Sequence, residues 1–89
     1  MNHYGAQMMR HWQEERSQEL EQLEDPETFF AELGVEIAQQ VETQARSLSG
    51  EAPSQEGYLA RLQRLNTARM QAESEVVRKY LLQEPEPTE

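Results

Sequence analysis

The sequence predicts an all-α protein of three helices. Apolar residues recur every three or four positions along two long segments, the spacing of one helical face. Residues that commonly begin and end helices stand at the boundaries of these segments. At 89 residues, 36% of them hydrophobic, the chain is one domain at most, with a thin core.

The first predicted helix covers about residues 4–24. Residues 13–24 have a composition of high helix propensity with little to bury. Arg16 and Glu19 interrupt the apolar stripe of this helix. We expect it to continue to Asp25, with only a sharp bend before the next helix. The stripe consists of Met8, Trp12, Leu20 and Leu23.

The second predicted helix covers residues 26–49 and has the clearest ends. Asp25 is a good N-cap, and Pro26 suits the first helical position, where no amide donor is needed. Gly50 is a natural C-cap, with Pro53 shortly beyond. The apolar face consists of Phe30, Leu33, Ile37, Val41 and Leu48.

The third predicted helix covers about residues 54–83. Its stripe spans more than half the circumference, which indicates contact with two neighbours. We therefore predict that this helix is central and pairs with the second helix in a long antiparallel hairpin. Residues 1–83 would form one domain, followed by a disordered acidic tail at 84–89. The stripe consists of Tyr58, Leu59, Leu62, Leu65, Ala68, Met70, Ala72, Val76, Val77, Tyr80 and Leu81.

Three polar residues fall within this apolar stripe: Asn66, Arg69 and Glu73. We interpret them as a buried polar strip with an internal ion pair, assisted by Gln40 or Gln44. Buried groups of this kind often set helix register. The alternative is that Arg69 binds a carboxylate or phosphate of a partner.

Charge is segregated along the chain. Residues 14–42 contain ten acids and one base, for a net charge of −9, whereas residues 61–79 carry +3. The acidic run is either a solvated face or an imitation of a nucleic-acid backbone that occupies a basic groove of a partner. The candidate contact residues are Glu14, Glu21, Glu32 and Glu36.

Trp12 and Met8 belong to an aromatic and methionine cluster on the sparsely apolar first helix. One interpretation is that this cluster packs the first helix onto the other two. The other is that Trp12 enters a pocket of a partner protein, since Trp and Met are enriched in interfaces.

No catalytic, cofactor or metal site is expected. His11 and Glu15 stand one helical turn apart, but zinc normally needs three or four protein ligands, and the chain has no cysteine. No glycine-rich phosphate loop or Ser/His/Asp set can be assembled. No apolar run suits a signal peptide or a membrane span, so we expect a cytoplasmic protein.

Three segments resemble short uncharacterised acidic helical proteins of actinobacterial plasmids, phages and other mobile elements. They are HW at 11–12, DPETFFAELG at 25–34 and YLARLQRLNTARMQAE at 58–73. The resemblance rests on helix caps and apolar spacing and carries no catalytic residue. It implies an accessory protein of a mobile element, a class that includes anti-CRISPR and antirestriction inhibitors.

The functional prediction is a non-catalytic protein-binding accessory factor, in its narrowest form an inhibitor of a host system that handles nucleic acid. One alternative is a structural helical-bundle adaptor or homodimerisation module without an inhibitory role. Another is a weak nucleic-acid binder that uses the basic third helix.

Overall fold

A computed structural model describes residues 1–82 as helices joined by turns, with no strand among them. The helices are α1 (His3–Glu15), α2 (Ser17–Glu21), α3 (Pro26–Ser49) and α4 (Tyr58–Leu82). The all-α prediction is confirmed, although four helices replace the predicted three. The predicted tail, residues 84–89, lies outside the described residues.

The ends of α3 match the prediction. The Asp25 carboxylate accepts hydrogen bonds from the Thr28 amide (3.2 Å) and the Thr28 hydroxyl (2.7 Å). These two bonds hold the pKa of Asp25 below its usual value, because they favour the charged form. At the other end, Gly50 has a φ of 61°, a conformation that favours glycine.

The predicted helix at 4–24 is wrong as a single element, because Arg16 breaks it. Arg16 has a non-helical backbone (φ −138°, ψ 46°), and its guanidinium lies over the Trp12 ring, 5.5 Å from the ring centroid. After the break, Leu20 and Leu23 pack against the core. The high helix propensity of this segment is therefore overridden by tertiary packing.

The predicted start of the third helix is also wrong, since α4 begins at Tyr58 and not near 54. The Arg64 side chain of α4 binds the turn that precedes the helix. Its guanidinium donates to the Glu56 carboxylate (2.7 and 3.0 Å) and to the Ser49 carbonyl (2.7 Å). The Arg64 guanidinium holds the pKa of Glu56 below its usual value.

The core lies where α1, α3 and α4 meet. Its members are Tyr4 and Met8 of α1, Phe30, Ile37 and Val41 of α3, and Ala72, Val76 and Tyr80 of α4. Since α3 packs against both other long helices, α3 is the central helix, and the prediction that the third helix is central is wrong. The bonds from Gln40 to Tyr80 (2.6 Å) and from Gln44 to Glu75 (3.0 Å) show that α3 and α4 run in opposite directions.

Two helical glycines let α1 approach α3 closely. A Cβ atom on Gly34 would overlap the Asn2 side chain and lie 2.9 Å from the Gly5 amide nitrogen. A Cβ on Gly5 would overlap the Phe30 carbonyl oxygen. Asn2 spans the contact, since it accepts from the Gly5 amide and donates to the Gly34 carbonyl, each at 2.9 Å.

Candidate functional site

The four candidate acids are all exposed, Glu14 on α1, Glu21 on α2, and Glu32 and Glu36 on α3. Trp12 near the end of α1 packs on Phe29 and Phe30, with both ring-centroid distances 5.4 Å. This contact places the end of α1 beside the first turn of α3. We use the name acidic end for Glu14, Glu21, Glu32, Glu36, Trp12 and Phe29.

Aromatic surface lies among these carboxylates. Phe29 is 36% exposed and Trp12 is half-buried. Glu32 and Glu36 follow Phe29 by three and seven residues, so the three side chains share one face of α3. An exposed aromatic group beside charged residues is a common arrangement in protein interfaces.

Glu36 also interacts within the chain. Burial raises the pKa of the Tyr80 phenol, and the nearby Glu36 carboxylate raises it further. Neutralising Glu36 would therefore alter the contact between α3 and α4, in addition to the surface charge.

The predicted methionine and tryptophan cluster packs α1 onto the rest of the fold. Met8 is 2% exposed and Tyr4 is 5% exposed. Met8 is therefore not available to a partner in this structure, whereas Trp12 has one side against the core and one side towards solvent.

The predicted buried polar strip is wrong. Asn66 and Arg69 are exposed and Glu73 is half-buried, and within residues 1–82 no polar or charged side chain is fully buried. The residues of α4 that face the core are instead Ala68, Ala72, Val76 and Tyr80. Small and apolar residues thus occupy the contact that was assigned to an ion pair.

Arg69 and Glu73 instead belong to a surface network that ties the three long helices together. The Tyr4 hydroxyl donates to Glu73 (2.8 Å), and the Arg69 guanidinium donates to Glu42 and lies 3.9 Å from Glu73. Burial, followed by the bond to Glu73, raises the pKa of Tyr4 to about 12. The network therefore joins α1 to α4 and α4 to α3.

A second surface was not anticipated from the sequence. The first turns of α4 expose Tyr58 (75%), Leu59 (72%), Leu62 (39%) and Leu65 (38%), which we name the apolar strip. These residues were predicted to be buried because they continue the apolar periodicity of the core-facing residues of α4. The signal that could have identified them is the first helix, whose few apolar residues cannot cover the full length of the other two.

Residues 1–82 contain no group of three or more His, Cys, Asp or Glu placed to hold a metal ion. No helix in that range is long and apolar enough to cross a membrane. No protein family, curated protein or solved structure matches the chain.

Proposed function

We propose that this chain is a non-catalytic accessory factor that binds another protein through its acidic end. The observation that supports this function is that the exposed Glu32 and Glu36 share one face of α3 with the partly exposed Phe29, against which Trp12 packs. Arg64 and Arg69 of α4 do not neutralise these acids, because Arg64 binds Glu56, and Arg69 binds Glu42 and lies near Glu73.

Each component has a distinct role in binding. Carboxylates at helical spacing attract a basic surface over distance and raise the association rate. Trp12 and Phe29 supply the apolar contact area that typically accounts for most of the affinity. In this proposal the antiparallel hairpin of α3 and α4 is the rigid support for the surface.

The narrower proposal is that the partner is a host protein or complex that handles nucleic acid. This chain would inhibit that partner, in the manner of an anti-CRISPR protein. A basic groove that normally holds a phosphate backbone would accept the acidic end and release bound anions on binding. Such binding falls steeply as salt concentration rises.

Affinity capture followed by a quantitative titration tests the proposal. The chain is immobilised, exposed to a nuclease-treated extract of the cells that encode it, and the retained proteins are identified by mass spectrometry. The purified partner is then titrated while the fluorescence of Trp12, the single tryptophan of the chain, is followed. A change in emission that duplex DNA reverses would support binding of a nucleic-acid groove at the acidic end.

The matched variants are Glu32→Gln at the acidic end and Glu51→Gln in the turn before α4, each the loss of one exposed charge. We expect Glu32→Gln to weaken binding and flatten its salt dependence, and Glu51→Gln to do neither. The triple variant with Glu14 and Glu21 should enlarge the effect, and Glu36 is kept because of Tyr80. Equal salt slopes for all variants would rule out the electrostatic mechanism.

Trp12→Ala separates the aromatic from the electrostatic contribution, with partner binding then followed by calorimetry. If Trp12→Ala abolishes binding while the triple variant binds normally, the aromatic surface is the site and imitation of nucleic acid is refuted.

A homodimerisation module is the second candidate function. The exposed apolar strip at the opposite end of α4 favours it.

A further inference from the structure

The apolar strip is the uncovered part of a helical face that is buried elsewhere. Within α4, Ala68, Ala72 and Val76 lie against the core, and the same periodicity continues backwards to Leu65, Leu62 and Tyr58. The first residues of α1 reach α4 near Glu73, through Tyr4. Exposure then rises to 72–75% at Leu59 and Tyr58. Adjacent apolar side chains left exposed in this way commonly mark an interaction site.

We propose that a second copy of this chain binds the apolar strip, with the two α4 helices packed antiparallel about a two-fold axis. Tyr58, Leu62, Leu65 and Arg69 are spaced by 4, 3 and 4 residues, the spacing of a coiled-coil seam. An axis between residues 63 and 64 sets Leu62 against Leu65 of the second copy. The same axis sets Tyr58 against Arg69 of the second copy.

This register makes the strip complementary to itself, as a two-fold interface requires. The two leucine layers lie at the centre, and each outer layer places a guanidinium beside a tyrosine ring, an attractive pairing. Arg69 is half-exposed and lies on α4 outside the core, so its side chain is accessible for this contact. No layer of the register brings like charges into opposition.

The charge distribution also permits a second copy at this location, because the strongly acidic part of the chain lies elsewhere. Residues 43–72 contain four bases and two acids, for a net charge of +2, whereas the whole chain carries −9. Antiparallel pairing through the strip places the two acidic ends at opposite extremes of the dimer. Their separation far exceeds the screening distance of about 8 Å at physiological ionic strength, so repulsion between the copies is small.

The strip occupies only the first turns of one helix, and stable interfaces usually bury about 800 Å² per partner. We therefore expect weak, reversible dimerisation. The surface is separate from the acidic end, so this inference does not depend on the proposed accessory function, and it specifies the surface and register of the second candidate function.

Sedimentation equilibrium over the low to high micromolar range tests the proposal, with circular dichroism to confirm that each variant is folded. We expect a monomer–dimer equilibrium that Leu62→Lys weakens at least tenfold. The matched control is Val35→Lys, which changes a 54% exposed residue on α3 and should leave the equilibrium unchanged. The proposal is overturned if the parent chain stays monomeric over this whole concentration range. That holds even if another protein is found to bind the apolar strip.

Disulfide trapping tests the register, because the chain has no cysteine of its own. Leu62→Cys and Leu65→Cys chains are mixed and oxidised, and the mixed disulfide should exceed both homodisulfides. Predominant Leu62→Cys homodisulfide indicates a parallel or shifted pairing and refutes the antiparallel register. Trp12 emission should not change on dimerisation, which separates this result from binding at the acidic end.

Discussion

Replacing Gly34 with alanine should destabilise the fold by about 1–3 kcal/mol, although alanine favours a helix over glycine by about 1 kcal/mol. The added Cβ atom would overlap the Asn2 side chain and press on the Gly5 amide. To make room, Asn2 must give up its bonds to the Gly5 amide and the Gly34 carbonyl. Each of these bonds contributes about 1 kcal/mol, so their loss exceeds the gain in helix propensity.

Urea unfolding followed by circular dichroism measures this effect. Ser47→Ala on the exposed face of α3 is the control and should be neutral or slightly stabilising. In an Asn2→Ala background the clash with the side chain is absent, so Gly34→Ala should cost at least about 1 kcal/mol less than in the parent. A Gly34→Ala variant as stable as the parent would refute the close crossing of α1 and α3.

Three further predictions follow from burial and from the pKa shifts. Ile37→Ala should lower the free energy of unfolding by about 2–5 kcal/mol, because the Ile37 side chain is fully buried. Leu62→Ala should lower it by less than about 1.5 kcal/mol in the same urea titration, carried out at low protein concentration. Equal losses would show that the apolar strip is buried. Arg69→Met should cost less than about 1 kcal/mol, since half of its side chain is exposed, and a larger loss would indicate a buried ion pair after all. The raised pKa of Tyr4, about 12 against an ordinary 10, means that the folded state holds the phenolic proton more tightly than the unfolded state. Its contribution to stability is complete below pH 10 and is lost as pH rises towards 12. Thermal unfolding of Tyr4→Phe should therefore depend less on pH in this range than that of the parent, and identical pH profiles would contradict the hydrogen bond from Tyr4 to Glu73.

Signals within a few residues predicted α3 well, because its ends depend on local chemistry. Asp25, Pro26 and Gly50 act on the backbone of the nearest turn, and no distant contact competes with them. The break at Arg16 could not be predicted in this way. It accompanies the packing of Trp12, Leu20 and Leu23 against core residues that are distant in sequence, and local signals carry no information about those contacts.

The errors on α4 have a different physical origin. Apolar periodicity identifies the face of a helix that could be buried, but coverage depends on the length of the neighbouring helix. Since α1 covers one part of α4, Leu62 and Leu65 stay partly exposed while Val76 is buried. Arg69 is a surface residue for another reason: Ala68 and Ala72 face the core on the same stretch of α4, so Arg69 lies to the side of the buried face.

Glycines within the helices are a further signal in the sequence. A glycine in a helix interior weakens the helix by roughly 1 kcal/mol, so its presence usually has a packing reason. Gly5 and Gly34 both lie inside helices, and together they identify the point at which α1 crosses α3.

The hydrogen bonds from Arg64 to Glu56 and to the Ser49 carbonyl affect the order in which the chain folds. They close a short loop, and short loops cost little entropy to close, so the reversal between α3 and α4 can form early and locally. Docking of α1 depends on contacts more distant in sequence, such as Asn2 with Gly34. During synthesis α1 leaves the ribosome before α3, so Met8 and Tyr4 are exposed until α3 has emerged. The newly made α1 segment therefore passes through an interval of apolar exposure that ends when the central helix is complete.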